Sequence, residues 1–133
     1  MGRLCTFGSP LRERSAAVVI SGRFETGLGR SRPVYSLVFT VDDGLPEITT
    51  LELAVDARDI ARFDVVSHVP AASGASAVVA LDMETLGTLF RATDSGKMLR
   101  VTVPHAGPSY DFDLTGFATA SDAFSGCMLR NAP

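Results

Sequence analysis

The sequence predicts a mainly β protein: an antiparallel β-sandwich or curled sheet with two short helices. Apolar and polar residues alternate with a period of two in several stretches, most clearly over 98–103 and 110–114. Short turn sequences such as Asp42–Glu47 separate these stretches. Apolar residues recur at helical spacing in two short segments. Many short strands joined by close turns, with few helices, are typical of sandwich folds.

Length and composition predict one globular domain. The chain has 133 residues, of which 46% are apolar and 20% are charged. This length and apolar content are enough to form a single core. Residues 1–15 read as an irregular N-terminal arm, because glycine, proline and four charges leave few apolar side chains there. The sandwich domain is expected over 16–133. The net charge of −3 and the scattered arginines argue against a nucleic-acid partner, and no apolar run approaches the ~18–20 residues of a transmembrane helix.

The first strand is predicted over Ser15–Phe24, ending near Gly22, and is followed by a loop over Gly27–Arg32. That loop, GLGRSR, lacks the third glycine, the lysine and the following helix of a phosphate-binding loop, so no cofactor is expected there. A second strand begins at Pro33.

A hairpin is predicted on either side of the Asp-Gly turn. Tyr35 to Val41 and Thr49 to Val55 both alternate, and pairing Val41 with Thr49 aligns their apolar positions. We therefore expect these two segments to be neighbours in one sheet.

The middle of the chain is less regular. Asp56–Asp64 carries five charges and fits either a short helical turn or the charged rim of a sheet. Phe63–Val69 predicts a short strand, Pro70–Ser76 a flexible loop of small residues, and Ala77–Leu81 a compact apolar strand.

Two helices are predicted near the C-terminal end. Asp82 fits an N-cap, and apolar residues at helical spacing follow it, which predicts a helix over Met83–Ala92. Thr115 fits the cap of a last helix over Gly116–Cys127, with Phe117 and Phe124 on one stripe.

Between the helices, two alternating segments predict a hairpin. Placing Val103 opposite Tyr110 aligns both apolar faces and sets Arg100 opposite Asp113 on the other face. A slip by one residue would turn every side chain to the wrong face, so the inward and outward positions are well determined.

The two cysteines, Cys5 and Cys127, lie near opposite ends of the chain. They could form one terminal disulfide, or they could be two unrelated buried thiols, and two cysteines alone do not establish an oxidising compartment.

Candidate ligand-binding residues are His105, Tyr110, Asp111 and Arg100. His105 lies in the loop between the two strands of the predicted hairpin, where loop residues often carry function. The acidic face of Asp111 and Asp113 could bind a cation or be a solvated face balanced by Arg100. No catalytic set is predicted, and the histidines and cysteines lack the number and spacing of a metal site.

From about Asp82 to Cys127, the order of a capped helix, the turn Ser95-Gly96-Lys97, the strands MLRVTV and FDLTGF and a closing helix resembles the invasion-associated locus B family of small secreted bacterial β-sandwich proteins. The resemblance implies an immunoglobulin-like fold, an exported or periplasmic setting and no catalytic residues to transfer.

Together these observations predict a non-enzymatic bacterial binding or interaction module of the cell envelope, periplasmic or secreted after removal of a signal. A cytoplasmic location is the alternative. The partner, a protein or a small molecule, would be recognised by an exposed sheet edge or by the loops around His105 and Gly74. The competing interpretations are a small hydrolase, a lipocalin-like carrier whose pocket is lined by Phe24, Phe39 and Tyr110, and a homodimer that pairs through a sheet edge.

Overall fold

The computed structural model of the chain contains two antiparallel sheets that enclose one core, together with two helices. It describes residues 4–11, 16–27, 29–41, 49–71, 74–104 and 109–132; for 7–11, 67–71 and 74–75 it describes the backbone alone. The strands run over Cys5–Leu11 (β1), Ala16–Gly27 (β2), Arg30–Val41 (β3), Thr50–Val55 (β4), Arg58–Asp64 (β5), Ser67–Ala71 (β6), Gly74–Leu81 (β7), Met98–Thr102 (β8) and Ser109–Asp113 (β9). The helices are Met83–Ser95 (α1) and Phe117–Asn131 (α2).

The five-stranded sheet has the order β1-β2-β3-β7-β6, and the four-stranded sheet has the order β5-β4-β8-β9. The predicted mainly β, sandwich-like fold with two helices is confirmed. The two sheets stay separate and do not form a closed barrel. The chain changes sheet between two consecutive residues: Val65 N–H donates to Thr49 O, beside the four-stranded sheet, and Val66 N–H donates to Val78 O in the five-stranded sheet.

The N-terminal segment differs from its prediction. Cys5–Leu11 is strand β1 and pairs with β2 along its whole length, from Cys5 opposite Gly22 to Leu11 opposite Ala16. The irregular arm predicted over 1–15 is therefore wrong for these residues. Glycine and proline lower strand propensity, but β2 supplies a partner strand that the local sequence does not reveal.

The hairpin predicted between β3 and β4 is wrong. β3 pairs with β2 on one side and β7 on the other, whereas β4 pairs with β5 and β8 in the opposite sheet. Both strands turn their alternating apolar residues to the core, as expected, but they do so from opposite walls of the sandwich. Period-two alternation determines which face of a strand is buried, but it does not determine which strand pairs with it.

The predicted loop over Gly27–Arg32 is instead the end of a tight hairpin. β2 continues to Gly27 and β3 begins at Arg30, with Gly29 at a φ of 75° between them. Glycine reaches this left-handed conformation without a Cβ clash, so the reversal is short and the strands extend further than predicted.

The hairpin of β8 and β9 exists, but its register is shifted by two residues from the prediction. Val101 lies opposite Tyr110, and Arg100 lies opposite Asp111, the position predicted for Asp113. A two-residue shift keeps every side chain on its predicted face, so alternation could not distinguish the two registers. Val103 remains buried beyond the end of β8.

The charged segment Asp56–Asp64 forms the rim of a sheet, one of its two predicted alternatives: Arg58–Asp64 is the edge strand β5. Part of the predicted loop Pro70–Ser76 is paired, because β6 extends to Ala71 and β7 begins at Gly74. The predicted strand Ala77–Leu81 is the second half of β7.

Both helices extend further than predicted. α1 begins after Asp82, whose carboxylate accepts a 2.7 Å hydrogen bond from Thr85 N–H, and it continues three residues past Ala92. α2 begins after Gly116, with φ 79° and no side-chain cap, so the predicted Thr115 cap is wrong. Thr115 instead donates through N–H and Oγ1 to Asp113 Oδ1.

The helices meet each other at one end of the sandwich. Phe124 of α2 packs edge-to-face against Phe90 of α1, with ring centroids 6.0 Å apart, and also contacts Tyr35 of β3. A Cβ atom on Gly22 would lie 2.8 Å from the Phe124 ring, so glycine lets α2 approach the inner face of β2. Neither helix, over the residues that the structure describes, is long and apolar enough to cross a membrane.

Candidate functional site

Arg100 and Asp111 lie opposite each other on the outer face of the four-stranded sheet. Arg100 Nε donates to Asp111 Oδ1 at 2.8 Å, and Arg100 Nη2 donates to Oδ2 at 3.3 Å. This hydrogen bond lowers the pKa of Asp111 and raises the pKa of Arg100. The charged groups of these two candidate residues are therefore engaged with each other on a half-exposed surface.

Tyr110 is turned the other way, into the core. Only 2% of its surface is exposed, and its ring packs edge-to-face on Phe39 with centroids 5.2 Å apart. Tyr110 thus does not share a surface with Arg100 and Asp111. Phe39 and Tyr110, expected to line a pocket in a carrier, pack against each other from opposite sheets, and Phe24 packs partly buried against the same core.

The loops predicted to carry recognition are largely outside the described residues. This holds for His105 and for residues 72 and 73 beside Gly74. Gly74 itself opens β7, and His68 lies in the edge strand β6. Within the ranges that the structure describes, no group of three or more histidine, cysteine or acidic residues could hold a metal ion.

The two cysteines lie at disulfide-bonding distance, with Cα atoms 6.0 Å apart, although they are 122 positions apart in sequence. The Nδ2 of Asn131 donates to both sulfur atoms, at 3.4 Å to Cys5 Sγ and 3.5 Å to Cys127 Sγ. The first strand and the last helix therefore meet at the two cysteines. The sequence allowed either a disulfide or two unrelated thiols, and the geometry fits the disulfide.

Asp56 makes a structural junction that was not predicted. It has a φ of 51° and, with Ala57, forms the two-residue turn between β4 and β5. Its carboxylate accepts hydrogen bonds of 3.0–3.2 Å from the N–H groups of Lys97 and Met98, and its own N–H donates to Met98 O. Asp56 thereby ties this turn to the start of β8, and a depression of about 200 Å³ lies beside it.

The outer faces of the two sheets differ sharply in charge. On the four-stranded sheet, Glu52 lies opposite Arg62 and Arg100 lies opposite Asp111, and Asp64 and Asp113 share that exposed face. On the five-stranded sheet, the outward side chains of the three central strands are uncharged over the stretch where all three lie side by side, which is residues 35–41 of β3 and their partners. We call these nine residues the neutral face: Ala17, Val19, Ser21, Ser36, Val38, Thr40, Ser76, Val78 and Ala80.

The side chains of the neutral face form regular rows across the strands. Its centre is a row of valines, because Val19 lies opposite Val38 and Val38 lies opposite Val78. In the next row, Thr40 Oγ1 and Ser76 Oγ are 3.1 Å apart and hydrogen-bond each other. Most of these side chains are half-buried and Ala80 is exposed. A surface without charge, whose hydroxyl groups are partly satisfied, loses little when water is removed from it.

No family model, curated protein or solved structure matches this chain. The resemblance of Asp82–Cys127 to the invasion-associated locus B family therefore stays a prediction, and the functional argument comes from the surfaces of the molecule.

The neutral face was not predicted, although the sequence contains its signal. In β2 and β3, the residues between the buried positions are alanine, valine, serine and threonine, where an antiparallel sheet with one wet face usually places charged residues. The signal is visible only once the inward-facing residues of β2 are known. Val18, Val19 and Ile20 are consecutive and all apolar, so they do not show by alternation which side chains face the core.

Proposed function

We propose that the protein is a non-enzymatic binding module of the bacterial envelope that recognises its partner with the neutral face. The observation that carries this proposal is the contrast between the two outer faces. One sheet presents the charged surface expected of a protein face in water, and the other presents, at its centre, valine, alanine and hydroxyl side chains without charge. Depletion of charge is the compositional mark of the central part of a protein interface.

The rim of this face supports the same proposal. Beyond Ser21 and Ser36 the next outward positions of β2 and β3 are Arg23, Val34, Glu25 and Arg32, so three of the four are charged at this end of the face, and Arg23 forms an ion pair with Glu25. An uncharged centre with a charged border is the usual anatomy of an interface.

The envelope location rests on the cysteine pair. Disulfides persist in oxidising compartments such as the periplasm and are rare in the cytosol, so cysteines at bonding distance favour export. The proposed location is the periplasm or the medium after removal of a signal, and fractionation of the native host tests it: recovery of the protein in the cytosol with two free thiols would contradict it.

Site-specific photocrosslinking tests the proposed surface. A benzophenone amino acid at Val38, in the centre of the neutral face, should give a discrete adduct in the native host. The same group at Thr102, on the outer face of the four-stranded sheet, is the control and should give none. Adducts at neither position, or equal adducts at both, would contradict recognition by the neutral face.

A further inference from the structure

We infer that the projecting end of the β2–β3 hairpin binds an extended acidic segment of a partner protein through Arg30 and Arg32. We call this end the ribbon and define it as residues 23–27 of β2 and 30–34 of β3. The inference goes beyond the proposed function, because it concerns a second surface and does not require the neutral face to have a partner.

The ribbon extends past the rest of its sheet. β1 pairs with β2 as far as Gly22, and β7 pairs with β3 as far as Tyr35. Among the strands that the structure describes, the two strands of the ribbon therefore pair only with each other, over a length of about 17 Å. A narrow projection of this kind lets another chain lie along its outer face.

That outer face is basic. Its charged side chains, on the same side of the sheet as the neutral face, are Arg23, Glu25, Arg30 and Arg32. Three arginines and one glutamate give residues 23–34 a net charge of +2, in a chain whose net charge is −3. A patch opposite in sign to the whole molecule attracts and orients a negatively charged partner.

Two of the three arginines are available for binding. Arg23 forms an ion pair with Glu25, the one acidic residue of the ribbon. Arg30 and Arg32 are exposed, and their guanidinium groups form no ion pair or hydrogen bond with any residue that the structure describes. A guanidinium group binds a carboxylate or a phosphate through two parallel N–H donors.

The number of free arginines favours carboxylates over a phosphate polymer. Binding to DNA phosphates involves on the order of six to ten contacts, and segments that bind anionic membranes carry about four to eight lysines and arginines. Two free guanidinium groups are too few for either kind of partner. They are enough to recognise two carboxylates that are held at a defined spacing.

The spacing of Arg30 and Arg32 fits an extended chain. They are two residues apart on one strand, so their Cα atoms lie about 6.8 Å apart. An extended peptide with an acidic residue at every second position has the same repeat and places its carboxylates on one side. β9 of this chain carries such a pair, Asp111 and Asp113, but both carboxylates already accept hydrogen bonds within their own copy. A segment of another protein is therefore favoured over a second copy.

NMR titration of the 15N-labelled full chain with two synthetic peptides tests this inference. One peptide repeats Glu-Thr four times, and the other repeats Glu-Glu-Thr-Thr twice. The two have the same composition and charge, but only the first has glutamates two residues apart. The first should shift the amide signals of the ribbon and bind at least ~5-fold more tightly than the second, because it engages both guanidinium groups at once.

The double variant Arg30→Gln/Arg32→Gln should weaken binding of the alternating peptide by at least ~10-fold, because both charge-assisted contacts are lost. Both positions are exposed, so the variant should keep the wild-type spectrum outside the ribbon. Arg58→Gln is the matched control: it removes an exposed arginine from the edge strand β5 of the other sheet and should bind like the wild type.

An alternating peptide that leaves the ribbon signals unchanged, equal affinity for the two peptides, or wild-type affinity in the double variant would overturn the inference. Ribbon signals that move on dilution without peptide would identify a second copy as the occupant and also overturn it. The same holds if anionic phospholipid vesicles or DNA bind the ribbon and the peptides do not. Crosslinking at Val38 tests the neutral face separately, so either proposal can fail without the other.

Discussion

Gly96 occupies a position where even one methyl group would not fit. A Cβ atom there would overlap Val55 Cγ1 and lie 2.8 Å from the carbonyl oxygen of Ala92. The close approach lets the end of α1 pass over β4 before the chain enters β8. The turn Ser95-Gly96-Lys97 was predicted from sequence, but this contact was not, because it joins residues about forty positions apart.

Gly96→Ala should therefore lower the free energy of unfolding by about 1–3 kcal/mol, the usual cost of overpacking. Gly87→Ala is the matched control: it lies inside α1, and its Cβ would meet only the flexible end of Arg91 at 3.4 Å. That substitution should stabilise by about 0.5–1 kcal/mol through helix propensity. Urea denaturation followed by circular dichroism measures both, and equal effects of the two substitutions would contradict the steric argument.

Asp111 makes the stability of the fold depend on pH in the acidic range. Its native pKa is lowered by the hydrogen bond from Arg100, so the ionised carboxylate stabilises the fold above the unfolded-state pKa, near 3.9. This contribution is lost as the pH falls through the lower native pKa. Asp82, which caps α1, has a lowered pKa because it accepts the Thr85 N–H hydrogen bond, and it acts in the same direction.

Asp111→Asn should therefore lose less stability than the wild type between about pH 5 and pH 2. Arg100→Met should flatten the same profile, because it removes the donor that lowers the pKa. Chemical denaturation at a series of pH values measures the slopes. Wild-type slopes in both variants would show that this pair does not contribute to acid sensitivity.

At the scale of elements, the alternation of apolar and polar residues predicted the buried face of each strand better than it predicted the neighbouring strand. Leu51, Leu53 and Val55 are buried as their spacing indicated, and so are Leu99 and Val101. The partner of β4 and the register of β8 and β9 were wrong because a two-residue shift, or a move to the opposite sheet, preserves the same buried set. The sequence pattern therefore predicts which side chains are buried, whereas strand pairing depends on the paths of the loops and on the packing of the whole core.

The same reasoning applies to the site. Arg100 and Asp111 were predicted as candidates on one outer face, and they lie on one face, while Tyr110 followed its apolar pattern into the core. The neutral face could not be recognised before the strand order was known, because its nine residues come from three strands and are ordinary one at a time.

The junction of β1 and α2 is predicted to depend on the cysteine pair. Replacing both Cys5 and Cys127 with alanine should destabilise the protein by about 4–5 kcal/mol in the chain-entropy description of a disulfide that closes a loop of this length. The measurement is denaturation of the wild type with and without reductant, beside the double variant. A thiol count on the unreduced, unfolded wild type should find no free cysteine, and two free thiols would contradict the bond.

At the scale of the whole molecule, neighbouring residues of β3 serve different purposes. Phe39 is fully buried between the sheets, whereas Val38 lies on the neutral face. Phe39→Ala should cost about 3–5 kcal/mol of stability. Val38→Ala should leave the free energy of unfolding within about 1 kcal/mol of the wild type.

Urea denaturation of both variants beside the wild type measures the two effects. A large loss of stability in Val38→Ala would mean that the neutral face belongs to the fold itself.

The meeting of the first strand and the last helix at Cys5 and Cys127 also governs how the molecule responds to mechanical load. With the two sulfurs bonded, tension applied between the chain ends would pass through a covalent link and bypass both sheets. The chain between Cys5 and Cys127 would lie inside the closed loop and could not be drawn out, whereas the chain outside that loop could. The sandwich would remain intact under forces that unravel an unlinked domain.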